Sequence, residues 1–365
     1  MTNPALSHAY AVILAGGRGE RFWPLSTAAR PKQFLTLFGG KTLLSQAVER
    51  LAGLMPPERI LVITSRDLVP VTRAAAPKLP PQNVIGEPMG RDTAAACALA
   101  CGLVAHRDPQ GGVACILTAD QLMTDAATFR QILADSVAIA AARETIVTIG
   151  IQPTYPSTGF GYIEAGEALD TGSVTRFERA RRFVEKPNAE VAARYVADGK
   201  HYWNAGMFIW RAAFMRQAIQ QHAPHLLELC DKAATTPPAK LDALLDALYP
   251  PLPKISVDFA IMEKMSDIVV ARGAFGWDDV GTWAAVGNHI LANAAQNVVV
   301  GDCEAIDATD NVVISEGRLT ALLGVKNVVV VHAGNVTLVC DRDRVQDLKK
   351  LVQQVGKRAD GAKYV

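Results

Sequence analysis

The feature that most constrains the fold of this chain is a short apolar run that ends in two adjacent glycines. Residues 10–14 form the run, and Gly16 and Gly17 follow it almost at once. A brief apolar run bounded by turn residues predicts a buried strand. Glycines at its end let the backbone approach an anion closely and direct N–H groups at it. The segment therefore predicts a strand whose carboxyl end opens into an anion-binding loop.

The loop that follows this strand is basic and stiff. Arg18, Arg21 and Lys32 carry three positive charges, and two prolines restrict the backbone between residues 18 and 34. The spacing matches neither the P-loop motif nor the dinucleotide fingerprint, because Phe22 stands where the fingerprint needs its third glycine. We interpret the loop as a polyphosphate site. The alternative is an ordinary glycine turn with solvated basic side chains.

The composition excludes several classes of function. A formal net charge of +1 over 365 residues argues against a nucleic-acid-binding surface. The longest apolar run, residues 94–105, is too short to span a membrane, and the N-terminus lacks the pattern of a signal peptide. We therefore expect a cytoplasmic enzyme that binds neither nucleic acid nor membrane. Cys97 and Cys101, one helical turn apart, are expected to be buried thiols rather than a bridge.

Strands and helices alternate over the first two thirds of the chain. Short β-branched apolar runs predict strands at 10–14, 59–64, 113–117 and 145–149. Apolar residues at three- and four-residue spacing predict helices at 42–53, 93–106 and 126–142. This alternation favours an α/β, Rossmann-like fold with a mixed, mainly parallel sheet flanked by helices. Ligands of such sheets bind beyond the carboxyl ends of the strands, where the glycine loop and Asp120 both lie.

The sequence changes character after about residue 290. Five short β-runs separated by Gly, Asn and Asp turns are found at 298–300, 312–314, 319–323, 328–331 and 336–340. An amphipathic helix is predicted at 344–355. We expect a catalytic domain at 1–290 and a small β-rich, β-helix-like domain at 291–365. No chemistry is evident in the second domain, so packing, dimerisation or regulation is its expected role.

Carboxylates without histidine or thiol partners define the predicted chemistry. Asp120 follows a predicted strand, Asp278 and Asp279 lie in a turn between glycines, and Lys186 precedes a proline. Such carboxylates favour a hard cation, and Mg²⁺ is usually held by one or two carboxylates plus substrate phosphates. A cation bridging phosphate oxygens, with Arg and Lys on the remaining charge, suits attack at phosphorus. Each aspartate taken alone is more typical of a turn or a helix cap.

An aromatic segment at residues 202–210 places Asn204 and Gly206 among large rings. Aromatic rings and an amide suit the hydroxyl groups of a sugar. An aromatic strand beside a turn is equally typical of a hydrophobic core. The residues alone do not decide between these two interpretations.

The ordered motifs of the chain resemble those of sugar nucleotidyltransferases, and in particular the mannose-1-phosphate guanylyltransferases. The opening loop resembles the family signature, and its segment at 30–35 (Arg-Pro-Lys-Gln-Phe-Leu) resembles the mannose rather than the glucose 1-phosphate enzymes. The resemblance covers nearly the whole chain, through residues 86–94, 117–120, 158–163, 183–187, 203–208, 256–264, 276–283 and 344–347. It implies synthesis of GDP-mannose and pyrophosphate from GTP and mannose 1-phosphate, by direct in-line attack at the α-phosphorus. A homodimer is expected.

The resemblance also implies roles for individual residues. Asp120 and Asp279 would hold Mg²⁺. The catalytic cations would be Arg18 and Lys32 on the triphosphate and Lys186 on the sugar phosphate. The nucleotide site would comprise Ala15, Gly16, Gly17, Arg18, Lys32, Glu87, Thr93 and Asp120, with the backbone around Ala15, Gly16 and Glu87 at the guanine. The sugar-phosphate site would comprise Gly161, Glu185, Lys186 and Asn204.

Three positions depart from the family pattern. Gln121 replaces the usual histidine, Asp92 replaces an asparagine, and Asp278 replaces the common serine before the second metal aspartate. The choice between Asp278 and Asp279 as the ligand therefore stays open. Two alternatives to the guanylyltransferase activity also stay open: a non-catalytic nucleotide-sugar sensor, and a related enzyme for another base or sugar. The residues do not distinguish guanine from adenine on physical grounds.

Overall fold

The computed structural model describes residues 4–17 and 19–365. Its contacts form two compact units, each built from several stretches of the chain. The first unit contains the residues up to 16, then 47–119 and 123–277, and the second contains 17–46, 120–122 and 278–365. Over the described ranges, no helix is both long enough and apolar enough to cross a membrane.

A nine-stranded sheet forms the centre of the first unit. Its strands are β1 (Ala9–Ala15), β2 (Ile60–Ser65), β3 (Val84–Glu87), β4 (Val113–Thr118), β5 (Ile146–Ile151), β6 (Tyr162–Leu169), β7 (Phe177–Val184), β8 (His201–Arg211) and β9 (Ile268–Gly273). Their spatial order is β3-β2-β1-β4-β8-β5-β9-β7-β6, and β6 also pairs with β8. The pairings make β7 and β8 antiparallel to the other strands. The sheet is therefore mixed and mainly parallel, which confirms the predicted fold class.

Helices follow or connect these strands along the chain. They are α1 (Leu43–Glu49), α2 (Val69–Ala75), α3 (Asp92–Arg107), α4 (Ala126–Ala142), α5 (Ala189–Asp198), α6 (Ala212–His222), α7 (Leu227–Thr235), α8 (Leu241–Leu248) and α9 (Val257–Ala260). The first four predicted strands agree with the structure to within two residues, as do the second and third predicted helices. The helix predicted at 42–53 is too long. It ends at Glu49 because turns follow, including Gly53 at a left-handed φ of 82°.

Helix α3 is the buried centre of this unit. Its residues 94–104 are all buried, and most of them are alanine, glycine or cysteine. Small side chains let neighbouring helices approach: a Cβ atom on Gly102 would lie only 2.4 Å from the carbonyl oxygen of Cys230 on α7. Cys97 and Cys101 are buried free thiols, as expected, and the other four cysteines are free thiols as well.

The second unit contains a four-stranded sheet with the order β10-β11-β12-β13. Its elements are β10 (Val298–Ile306), β11 (Val312–Leu323), β12 (Val328–Ala333), β13 (Val336–Asp341), α10 (Trp283–Val286) and α11 (Leu348–Gly356). Two of the predicted β-runs join into the single strand β11, because Gly317 adopts a left-handed φ of 69° without ending it. The predicted last helix begins instead as a 3₁₀ turn at Arg342–Asp347 and continues as α11.

The core of the second unit unites the basic loop with the β-rich segment. Phe22, Trp23 and Leu35 of the loop share one hydrophobic cluster with Val312 and Trp283. The Trp283 indole N–H donates a hydrogen bond to the carbonyl oxygen of Trp23 at 3.1 Å. The loop is therefore packed against residues that lie far from it in the sequence. The domain boundary expected after residue 290 stays a prediction.

Candidate active site

Lys32 brings together two aspartates that lie far apart in the sequence of the second unit. Its Nζ atom donates hydrogen bonds to Asp120 Oδ2 at 3.1 Å and to the backbone carbonyl of Asp279 at 2.5 Å. The lysine side chain is only 6% exposed, although it carries a charge. A buried ammonium needs negative partners of this kind. We call Lys32, Asp120 and Asp279 the Lys32 cluster.

The charges of the Lys32 cluster depend strongly on one another. Burial acts to lower the pKa of Lys32, but the charges of Asp120 and Asp279 outweigh it, so the pKa is raised and the ammonium stays protonated. Burial raises the pKa of the Asp279 carboxyl, and the negative charges of Asp120 and Asp278 add to that effect. Lys32 and Arg21 oppose it. The cluster therefore holds more negative charge than Lys32 alone balances, which suits an additional cation.

The two adjacent aspartates have different surroundings. Asp278 Oδ1 accepts a hydrogen bond from the backbone N–H of Val280 at 2.6 Å, and its Oδ2 accepts one from His289 Nε2 at 2.7 Å. The Asp279 carboxylate lies instead over Gly281, where a Cβ atom would be 3.0 Å from its Oδ2. In the described part of the chain, no group of three or more His, Cys, Asp or Glu side chains is arranged to hold a metal by itself.

The structure gives less information on the other residues of the glycine loop. Arg18, expected at the triphosphate, lies outside the described residues. Gly17 belongs to the second unit, whereas Ala15 ends β1 in the first unit and Gly16 follows it there. Gln121, which replaces the usual histidine, is buried.

In the first unit, the expected guanine contacts meet at the ends of β1 and β3. Glu87 ends β3 and is buried, and its Oε1 accepts a hydrogen bond from the Tyr249 hydroxyl at 2.7 Å. A Cβ atom on Gly16 would lie 3.7 Å from Glu87 Oε2. Burial raises the pKa of Glu87 to about 7, and the Tyr249 hydrogen bond reduces this rise. The structure thus brings Gly16 and Glu87 together and adds Tyr249, which the sequence did not suggest.

Asp92 and Thr93 open helix α3. The Thr93 hydroxyl accepts a hydrogen bond from the backbone N–H of Val257 at 2.9 Å, which attaches the start of α9 to α3. Asp92 has a φ of 63°, and its carboxylate accepts from the Thr93 N–H at 2.8 Å. Asparagine and aspartate both tolerate this left-handed region, so the departure from asparagine keeps the local backbone.

The four expected sugar-phosphate residues lie close together: Gly161 precedes β6, Glu185 and Lys186 follow β7, and Asn204 lies within β8. The backbone N–H of Asn204 donates to the Gly161 carbonyl at 2.9 Å. Glu185 Oε2 lies 2.5 Å from where a Cβ atom of Gly161 would stand, and its Oε1 pairs with Lys186 Nζ at 3.0 Å. Lys186 is exposed and has a φ of 45°, which is rare for a side chain of its kind. The structure therefore places these four residues side by side.

Asp258 is a member of this group that sequence reasoning missed. Its Oδ1 accepts a hydrogen bond from Asn204 Nδ2 at 2.8 Å, while Asn204 Oδ1 accepts from the Gly206 N–H at 3.0 Å. Burial, with the nearby charge of Glu185, raises the pKa of Asp258 to about 6. A single aspartate at a helix start looks like a cap, and although the motif at 256–264 includes Asp258, no role was predicted for it. We call Gly161, Glu185, Lys186, Asn204 and Asp258 the Asn204 cluster.

The aromatic segment of β8 is mainly core. Tyr202, Trp203, Phe208 and Trp210 are all buried. Trp203 also contacts the ring of Phe160, with centroids 5.0 Å apart. The core interpretation is thus confirmed for the rings, whereas the half-buried Asn204 is positioned by polar contacts.

The α/β fold and the match to a family model identify the chain as a nucleotidyltransferase. Residues 10–295 match the family model described as nucleotidyl transferase, and residues 296–355 match that of the mannose-phosphate isomerase/GMP-like β-helix domain. The chain is 38% identical to the mannose-1-phosphate guanylyltransferase of Escherichia coli K12, over 98% of this chain and 75% of the relative. It is 37% identical to the one of Klebsiella pneumoniae, over 94% and 73%. The chain belongs to the mannose-1-phosphate guanylyltransferase family.

A solved structure supports the same assignment of fold. The crystal structure of a protein from Thermus thermophilus, described as a mannose-1-phosphate geranyltransferase, matches with a TM-score of 0.85 and 36% identity. The match covers 95% of this chain and 99% of that one. The predicted α/β fold with a C-terminal β-helix-like segment is confirmed by these matches.

Proposed function

We propose that this protein makes GDP-mannose and pyrophosphate from GTP and mannose 1-phosphate. The observation that carries the proposal is the Lys32 cluster, in which one buried ammonium contacts Asp120 and the backbone of Asp279. Its occurrence in a chain so similar to mannose-1-phosphate guanylyltransferases supports a catalytic rather than a sensing protein. The same set of residues would be expendable in a sensor.

Mg²⁺ is the cation that the Lys32 cluster suits best. Its potential ligands, Asp120 and Asp279, are oxygen donors, and Mg²⁺ prefers one or two carboxylates together with phosphate oxygens. The excess negative charge around Asp279 would be relieved by a divalent ion. When bound, the ion would neutralise charge on the phosphates as it builds up during reaction.

The chain's own cations would bind and orient the phosphates. Lys32, together with Arg18, would contact the triphosphate of GTP, and Lys186 would contact the phosphate of the sugar. An oxygen of the sugar phosphate attacks the α-phosphorus in line, a new P–O bond forms, and the bond to the leaving pyrophosphate breaks. No general base is required, because the attacking phosphate is already ionised at neutral pH. Positioning and charge neutralisation therefore account for catalysis.

Glu87 offers a physical reason for guanine as the base. Guanine presents two neighbouring N–H donors on its pairing edge, at N1 and N2, whereas adenine presents an acceptor at N1. A carboxylate accepts hydrogen bonds and does not donate them when ionised. With Oε1 bonded to Tyr249 and Oε2 facing Gly16, Glu87 suits a base that donates. The backbone around Glu87 was expected to contact the guanine, and we propose that the Glu87 carboxylate contacts it as well.

The Asn204 cluster suits the sugar. Glu185 and Asp258 provide acceptors for hydroxyl groups, and the amide of Asn204 provides both a donor and an acceptor. Lys186, beside them, is placed for the attached phosphate. Homodimeric assembly and a cytoplasmic location stay predictions, and light scattering of the purified protein checks the first.

Pyrophosphate release over a matrix of four nucleoside triphosphates and several sugar 1-phosphates tests the proposal. We expect the pair GTP and mannose 1-phosphate to give the highest kcat/KM. A different preferred pair would indicate a related nucleotidyltransferase, and no turnover with any pair, despite GDP-mannose binding, would indicate a sensor. Either outcome would contradict the proposal.

A further inference from the structure

Asp278 and His289 form a largely buried pair that the proposed function leaves unexplained. The Asp278 side chain is 26% exposed and that of His289 is 16% exposed, and Nε2 of the imidazole donates to Asp278 Oδ2 at 2.7 Å. Resting on the proposed function, we propose that this pair is a positioning device that fixes which of two adjacent aspartates faces the cation. Asp279 is then the ligand and Asp278 its support.

The backbone around Asp279 is held in an unfavourable conformation. Val280 has a φ of 45°, in the left-handed region that β-branched residues rarely adopt. Such strain persists only where the surroundings determine the conformation, and it is concentrated at functional sites. Here the Asp278 carboxylate accepts the Val280 N–H, and Lys32 donates to the carbonyl of Asp279. Hydrogen bonds on both sides of Asp279 therefore fix the direction of its side chain.

His289 is itself held firmly. Its backbone N–H donates to the carbonyl of Val286 at the end of α10, at 3.1 Å. Its ring lies edge-to-face against Phe38, with centroids 5.9 Å apart. A histidine anchored at its backbone and its ring can direct one N–H at a fixed point, as carboxylate–histidine contacts do around metal ligands. The Asp278 carboxylate is thus restrained at both oxygens, through His289 and Val280.

The alternative role for Asp278 is ligation of the cation. Its two oxygens already accept hydrogen bonds, at 2.6 Å and 2.7 Å, and turning it toward a cation would break the contact that supports Val280. Lys32 donates a hydrogen bond to the backbone carbonyl of Asp279, and the carboxylate of Asp279 lies over Gly281. Loss of His289 would free Asp278 to rotate, and the negative charge next to Asp279 would no longer be directed away from it.

The test measures binding of Mn²⁺ to the protein in the presence of GTP, without sugar phosphate, by equilibrium dialysis with the same concentration of GTP on both sides of the membrane. His289→Phe should weaken Mn²⁺ binding about tenfold, as expected for loss of a supporting contact behind a ligand. His289→Gln, which keeps a donor, should weaken it less. His8→Phe is the matched control, because His8 also pairs with a carboxylate, Asp108 at 2.6 Å, but at an exposed position.

A double-mutant cycle separates positioning from a general loss of structure. Asp278→Ser should retain measurable Mn²⁺ binding, whereas Asp279→Asn should lose it. Because His289 acts only through Asp278, adding His289→Phe to Asp278→Ser should weaken binding no further. Equal loss of Mn²⁺ binding in Asp278→Ser and Asp279→Asn would make Asp278 a ligand and overturn the inference. Unchanged Mn²⁺ binding in His289→Phe would overturn it as well. So would the absence of Mn²⁺ binding in the unmodified protein. Intact Mn²⁺ binding without synthesis of GDP-mannose would contradict the proposed function alone.

Discussion

Glu185 occupies the space in which Gly161 would carry a side chain. The first carbon of such a side chain would lie 2.5 Å from Glu185 Oε2, which is closer than any normal contact. Glu185 also pairs with Lys186 through its other oxygen, so it cannot move without disturbing the proposed phosphate contact. A side chain at 161 would therefore displace the end of the flexible Glu185 side chain and change the geometry of the Asn204 cluster.

Gly161→Ala should displace Glu185 and raise the KM for mannose 1-phosphate at least about tenfold, with little change in the KM for GTP. The reason is that the change removes binding to one substrate only. Gly159→Ala is the matched control two residues away, because its Cβ would meet only Ser157 Oγ, at an ordinary 3.6 Å. Steady-state kinetics with each substrate varied in turn gives the answer. Equal effects of the two alanines would show that Glu185 does not bind the sugar.

Asp120→Ala and Asp279→Ala should each lower kcat a hundredfold or more, on the order of 3 kcal/mol of transition-state stabilisation. Both variants should remain folded, as judged by circular dichroism. Activity of the unmodified protein should be lost with a chelator and return with Mg²⁺. Asp302→Ala, at an exposed position of β10, should have no effect. Full activity of the Asp279 variant would remove it from the metal site.

Lys186→Ala should raise the KM for mannose 1-phosphate far more than that for GTP, since Lys186 belongs to the Asn204 cluster. Arg18→Ala should instead mainly reduce kcat, because charge at the attacked phosphate grows in the transition state. Lys200→Ala provides an exposed lysine as control. The comparison requires initial rates over both substrate concentrations. The opposite pattern would exchange the roles of the two residues.

Glu87 should make stability and GTP binding depend on pH in opposite directions. Its pKa is raised from 4.5 to about 7 in the folded protein, so the folded state binds the proton more tightly than the unfolded state. Protonation of Glu87 therefore adds up to roughly 3 kcal/mol to the free energy of unfolding. This stabilisation is fully present below about pH 4.5 and is lost as the pH rises through about 7. Glu87→Gln should therefore gain thermal stability over the unmodified protein at pH 8 but not at pH 4.5.

The same ionisation should favour GTP, because only the carboxylate accepts two N–H groups. The KM for GTP should fall as the pH rises from about 6 to about 8, and this trend should disappear in Glu87→Gln. Melting temperatures and GTP kinetics over this range check the two effects independently. A stability difference between the proteins that does not vary with pH would mean that Glu87 does not titrate there.

The sequence was sufficient for four of the nine strands of the sheet and for most members of both clusters. Continuous apolar runs predicted the bounds of β1, β2 and β4 closely, because parallel strands that are buried on both faces consist almost entirely of apolar residues. The antiparallel directions of β7 and β8 were not predictable, since pairing between distant strands depends on the whole sheet. The contact from Asn204 to Asp258 spans 54 residues and has no local pattern. The His289 contact was missed for the same reason, because a lone histidine after a short helix gives no signal.

The shared packing of Phe22, Trp23 and Leu35 with the C-terminal strands has a practical consequence for engineering. Trp23 also donates its indole N–H to the carbonyl of Tyr364 at 2.6 Å, across 341 positions of the chain. Deletion of the C-terminal segment would remove strand residues that pack against Phe22, Trp23 and Leu35, and the carbonyl of Tyr364 that Trp23 contacts. A shortened enzyme or a chimera joined near residue 290 would thus lose the support of its own phosphate loop, and the two segments have to be exchanged as a pair.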